Sequence, residues 1–190
     1  MTNPLVALSA ETHDVVLDLV YATSNNIAGK PVYQRHLCLL HRDAEVCLRK
    51  AVRLASQAGC RLKIFDAFRP QEAQLALWEV AVDKLYVADP SLGSNHTRGT
   101  AIDLTLVDED GKELDMGTGF DHMTVLSHHF SDQVSPVAQA NRSLLLRIME
   151  EAGFAHIPHE WWHYELPAHA DHRLIDSASL GQLNPMLRAD

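Results

Sequence analysis

Cysteine is scarce: Cys38, Cys47 and Cys60 are the whole complement of a 190-residue chain, and no two stand at the close spacing of a thiolate metal site. That argues against a disulfide framework or a cysteine-held metal, and the three read as reduced core residues. Long hydrophobic runs are missing too. No segment approaches the ~20 apolar residues of a membrane span, and MTNPLVALSAETHDVVLDLV has no basic stretch followed by an apolar one. The expectation is a cytoplasmic protein. Positive charge is sparse and scattered, with 16 Lys and Arg against 25 Asp and Glu and a formal charge of −9, so the electrostatic footprint for nucleic acid or an anionic membrane surface is lacking. Repeats and low-complexity stretches are absent. Residues 1–190, 46% hydrophobic, suit a single domain with a full core.

Periodicity supplies the elements. Ala44, Cys47, Leu48, Ala51, Leu54, Ala55 and Ala58 recur at helical spacing behind Asp43 as a cap, and Gly59 follows as the stop. Arg61 to Phe65 alternates, with Leu62 and Ile64 on one face. Pro70 opens a second helix through about Val82, with Ala73, Leu77 and Val80 as its buried stripe. AIDLTLV, residues 101–107, is a strand with Ile102, Leu104 and Leu106 on one face and Ala101, Asp103 and Thr105 on the other. DEDGKEL reads as a hairpin turn, and residues 115–135 form a long irregular segment of the kind that carries function. Pro136 precedes a third helix, with Leu144, Leu145, Ile148, Met149 and Ala152 inward and Gly153 as its stop. The tail after Pro167 offers no pattern. This order predicts an α+β fold with a mainly antiparallel central sheet and flanking helices.

A carboxylate in the 101–107 strand calls for an explanation. An Asp on one face of a strand is usually solvated. Asp103, however, has only Ala101 and Thr105 beside it, Gly99 permits a sharp turn, and His96 just before that turn can fold back to the same point. One nitrogen and one oxygen from such a pair suit a divalent cation, and a third protein ligand would leave a tetrahedral position open. Among 12 histidines, His163 stands out between Trp162 and Tyr164, where a buried imidazole needs a partner. Glu160, three residues earlier, shares a site with His163 only if the backbone turns near it, and Pro158 makes that turn reasonable. A glutamate beside a metal site that does not itself ligate is what general-base catalysis requires. Arg69, in FDAFRP, has two readings: a structural pair with Asp66, or an oxyanion stabiliser.

Together these residues carry a resemblance. Ser94, His96, Gly99, Ala101 and Asp103 match S-x-H-x-x-G-x-A-x-D, and Glu160, Trp161, Trp162 and His163 match E-x-x-H, of the zinc D,D-peptidases related to hedgehog domains and to vancomycin-resistance enzymes. With YATSNNIAGKPVY, FDAFRP, MGTGFD and SHH, the chain resembles the VanX-type D-alanyl-D-alanine dipeptidases from about Leu17 to Leu166. The resemblance implies a hedgehog/D,D-peptidase-like zinc domain and one Zn2+ per chain. It implies His96, Asp103 and His163 as ligands, Glu160 as the catalytic base and Arg69 as the group stabilising the transition state. Ser94 would lie near the substrate carboxylate, with Tyr21 and Asp121 near its ammonium. The partner would be a small dipeptide, shut in by a wall between Met116 and His129, while His122, His128 and His129 receive no role. Two alternatives remain open at this point: a cell-wall D,D-carboxypeptidase or endopeptidase acting on longer peptides, and a non-catalytic zinc-containing binding protein.

Overall fold

The computed structural model describes residues 3–188. Strand β1 (Leu5–Ala7) pairs antiparallel with β3 (Leu39–His41) in a small two-stranded sheet, and α1 (Ala10–His13) lies between them in sequence. The larger sheet has the order β2 (Val16–Leu17), β4 (Arg61–Asp66), β5 (Ala101–Val107), β7 (Glu160–Glu165), β6 (Ala155–Ile157). Its β2–β4 pairing is parallel and the other three are antiparallel. The long helices α2 (Arg42–Gln57) and α4 (Pro136–Ala152) pack on each other and on this sheet, and α3 (Gln71–Val80) follows β4. Among the described residues no helix is long and apolar enough to cross a membrane.

The helices form where periodicity placed them, with differences at their ends. His41, not Asp43, caps α2: its Nδ1 accepts from the Asp43 backbone N–H at 3.2 Å, and Asp43 sits in the first turn, where the helix dipole favours a carboxylate. At the other end Gly59 adopts φ 72°, and the Cys60 and Gly59 N–H groups bond back to Ala55 and Ser56, a Schellman closure that a β-carbon would strain. Helix α3 stops at Val80, which is 42% exposed and forms no part of the buried stripe with Ala73 and Leu77. Ser135 caps α4, its Oγ accepting from the Ala138 N–H, and Gly153 ends it as expected.

Strand β5 is buried along its whole length on both faces. Its Ile102, Leu104 and Leu106 join the main core, and its other face bears the candidate site, so Asp103 is no solvated surface residue. The turn after β5 closes as a hairpin through the Val107–Glu113 bridge. The irregular segment from 115 to 135 gains order from α4: buried Arg142 donates to the carbonyls of Met116, Leu126 and His128 at 2.7–2.9 Å, and the Trp161 indole N–H donates to Thr118. Backbone acceptors without secondary-structure partners are thus satisfied by one side chain. The tail also has a place. Leu180 packs with Leu5, Leu39 and Phe68 in a second apolar cluster, which holds the C-terminal segment against the small sheet.

Candidate active site

The site is a row across three strands. In the β4–β5–β7 ladder Asp66 lies opposite Asp103, and Asp103 opposite His163. Asp66 reaches that row only because of a bulge. Ile64 pairs with Leu104, and the register then slips by one residue, so that Asp66 rather than Phe65 faces Asp103. Without the extra residue Asp66 would fall opposite Ile102, on the apolar face.

His96 comes from the loop between α3 and β5. Arg69 donates its backbone N–H to the His96 carbonyl, and the Gly99 and Thr100 N–H groups fold back to His96 and Asn95. Gly99 sits at φ 70°, and a β-carbon there would meet Leu5 Cδ2 at 2.7 Å and the His41 amide at 3.2 Å, so the turn that aims His96 admits only glycine without rearrangement.

Three donor atoms converge. His96 Nε2 is 3.3 Å from Asp103 Oδ2 and 3.2 Å from His163 Nδ1, which is 3.1 Å from Asp103 Oδ1. The far nitrogen of each ring is engaged: His96 Nδ1–H donates to the Ala67 carbonyl at 2.7 Å and His163 Nε2–H to Glu165 at 2.9 Å. Those bonds select the tautomers whose free lone pairs point at the shared centre. Ligands at about 2.0–2.1 Å around a tetrahedral zinc lie about 3.3 Å apart, so the observed spacing fits that ion. Burial opposes charge on His163, but Asp103 and Glu165 overcome it and raise its imidazole to about 10 in the metal-free protein. Burial would raise Asp103, yet His96 and His163 hold its carboxyl well below the usual range.

Glu160 begins β7 directly after the tight turn that joins it to β6, closed by the Ile157–Glu160 pair and a second register slip. The turn expected near Pro158 is therefore present, and it brings Glu160 Oε2 to 4.0 Å from His163 Nδ1. Burial pushes the Glu160 carboxyl up to about 8, only partly offset by His163. Arg69 carries out the structural pairing and still faces the site. Its Nε donates to Asp66 at 2.8 Å, Nη1 to Gln74 at 3.1 Å and Nη2 to Asp103 at 3.3 Å, with the guanidinium 4.9 Å above the Tyr21 ring. Tyr21 donates its hydroxyl to Asp121 at 2.8 Å, and burial pushes the Asp121 carboxyl up to about 7. Ser94 is buried, and its Oγ accepts from the His96 N–H.

The eight residues singled out in the sequence, Tyr21, Arg69, Ser94, His96, Asp103, Asp121, Glu160 and His163, line one cavity of about 160 Å³, small against the roughly 300–1,000 Å³ of pockets for drug-sized ligands. Of the segment Met116–His129 only Asp121 lines it; much of the rest of the wall is Leu85–Ala88 with Ile157 and His159. His128 supports that wall from behind through Tyr86, His129 bonds instead to the core residue Tyr164, and His122 contacts Thr124. Sequence reasoning missed Glu165 and Asn95, which donates to Glu165 at 2.8 Å. The signal for Glu165 was its position two residues after His163, on the same face of a strand.

Three side chains able to hold a metal ion, a buried carboxyl beside them and a buried guanidinium at one small cavity are the kind of arrangement a metallopeptidase uses. A family profile described as peptidase M15, D-ala-D-ala dipeptidase, matches residues 1–179, beyond the 17–166 of the motif resemblance at both ends. The D-alanyl-D-alanine dipeptidase of Escherichia coli (strain K12) is 50% identical over 174 residues, covering 92% of this chain and 90% of that protein. Those of Enterococcus faecalis (strain ATCC 700802 / V583) and Enterococcus faecium are 34% and 36% identical, covering 87% and 81% of this chain and 93% and 87% of theirs. The chain belongs to the D-ala-D-ala dipeptidase family of M15 peptidases.

Proposed function

We propose that this chain, acting as a single zinc peptidase domain, hydrolyses the dipeptide D-Ala-D-Ala to two D-alanines. The observation that carries the reading is the convergence of His96, Asp103 and His163 donor atoms within 4.8 Å in a cavity shared by Glu160 and Arg69. A Zn2+ ion held by the three would supply Lewis acidity to a water and a peptide carbonyl. Glu160, whose buried carboxylate has a raised affinity for protons, takes the proton of the attacking water and passes it to the leaving amine. Arg69, held by Asp66 and Gln74, presents a fixed positive charge to the developing oxyanion, a contribution of about 3 kcal/mol.

The two ends of the substrate are selected by charge. Asp121 with Tyr21 offers the ammonium a carboxylate that burial disfavours until a cation arrives, and Ser94 lies at the carboxylate end. A substrate lacking either end leaves a buried group unpaired. The small cavity favours a dipeptide over longer peptides, and the names of the relatives agree with that choice. The same reading places the reaction in the cytoplasm, on a peptidoglycan building block, where its removal serves either antibiotic resistance or recovery of D-alanine.

The test is release of D-alanine from D-Ala-D-Ala, L-Ala-L-Ala and a longer peptide ending in D-Ala-D-Ala, each with zinc and with a chelator. Chelator-sensitive cleavage of the D,D-dipeptide alone is expected. Cleavage of the longer peptide moves the assignment to a carboxypeptidase, and no cleavage by zinc-loaded protein makes it a binding protein.

A further inference from the structure

A second trio of metal-type donors lies on the other side of the loop that carries His96. His41 ends β3, Asp43 opens α2, and His172 belongs to the C-terminal segment, 129 residues further on than Asp43. His172 Nε2 is 3.0 Å and His41 Nδ1 3.5 Å from the same oxygen, Asp43 Oδ2, and one ligand atom from each residue lies within 4.8 Å of the others; ligation through His41 Nδ1 exchanges its capping bond from the Asp43 N–H for the ion. The imidazoles meet edge to face with centroids 4.5 Å apart.

These two spacings lie on either side of the roughly 3.3 Å between ligands of a tetrahedral zinc, and those of the buried trio lie at 3.1–3.3 Å. His172 Nδ1 faces the Ala168 carbonyl at 3.2 Å, so a proton there leaves Nε2 free to ligate. The trio opens onto a surface groove, which leaves a further coordination position to solvent.

We propose that His41, Asp43 and His172 form a second divalent-metal site of the zinc class, with a structural role. Two hydrogen bonds join its ligands to the first site's loop: the His41 N–H donates to the Gly99 carbonyl at 2.8 Å, and the Arg98 side-chain Nη1 to the His172 carbonyl at 2.6 Å. An ion here ties the C-terminal segment to the start of α2 and clamps the loop that presents Ser94 and His96 from outside. Binding energy of this kind adds to folding stability, because the unfolded chain holds no such site.

The experiment counts zinc. Full-length protein is stripped with a chelator, titrated with Zn2+ and weighed by native mass spectrometry, beside His172→Ala and Asp43→Asn, the second keeping the shape of the side chain. The wild type is expected to hold one zinc more than either variant, and thermal unfolding to rise further with excess zinc in the wild type than in the variants. The difference of one ion is independent of what the buried trio holds. Equal zinc content in all three proteins overturns the proposal.

Discussion

Two clusters in this molecule have the same donors, two histidines and one aspartate, and differ in what surrounds them. In His96, Asp103 and His163 every residue is at most 7% exposed, and both rings are pinned at the far nitrogen by Ala67 and Glu165. Glu160 and Arg69 stand in the same cavity. In His41, Asp43 and His172 the aspartate side chain is 60% exposed, and the nearby carboxylates Asp171 and Asp176 are solvated. A donor set decides whether a metal can bind. Burial beside it decides whether a neighbouring carboxylate gains the proton affinity of a base, and a guanidinium the field of a low-dielectric site.

The sharpest way to break the contrast is to remove the base. Glu160→Gln is expected to lower turnover by about 10³-fold, the middle of the range for general-base catalysis, with zinc content unchanged by metal analysis. Arg69→Lys keeps the charge and loses the fork to Asp66 and Gln74; kcat is expected to fall about 10²-fold, measured against the intact zinc complement. Glu165→Gln weakens the anchor of His163, and competition with a chelator should show a loss of metal affinity of about 10- to 100-fold. Asp43→Asn, in the exposed cluster, should leave turnover at saturating zinc within about 2-fold, because the side chain lies outside the catalytic cavity and the loop it braces is also held by backbone bonds.

Stability against pH sharpens the same contrast. In the metal-free protein the raised Glu160 and Asp121 carboxyls and the raised His163 each bind protons more readily folded than unfolded. Their contributions are lost as pH rises through about 7 for Asp121, 8 for Glu160 and 10 for His163. Lowered Glu165 and Asp103 act oppositely, contributing above the ordinary carboxylate range and losing it as pH falls, through about 2 for Glu165. Asp121 and Glu160 begin to lose their contributions at the ordinary carboxylate values, where Glu165 and Asp103 have completed theirs, so chemical denaturation of the metal-free protein should show a maximum at about pH 4, with the fall above it reduced in Glu160→Gln.

Much of this was legible in the sequence, for identifiable reasons. Helices α2 and α4 and strand β5 are long enough for their periodicity to count, and the motif spacing brought His96, Asp103, Glu160 and His163 into one hypothesis. Strands β1, β2, β3 and β6 have two or three residues each, too few for a period to register. The bulge that turns Asp66 into the site row depends on pairing, not on local sequence. Arg142, on a helix face that reads as polar, is buried because it serves three carbonyls of a loop remote in sequence. The exposed cluster joins residues 129 positions apart, a distance no spacing rule spans.

The most direct test of the central claim, that the buried cluster holds the metal that works, is a zinc titration of metal-free protein followed by D-alanine release from D-Ala-D-Ala. Wild type and Asp43→Asn are predicted to regain the same maximal rate, and His163→Ala to stay inactive at every zinc level. Activity that returns in His163→Ala, or that is lost in Asp43→Asn, would contradict the account.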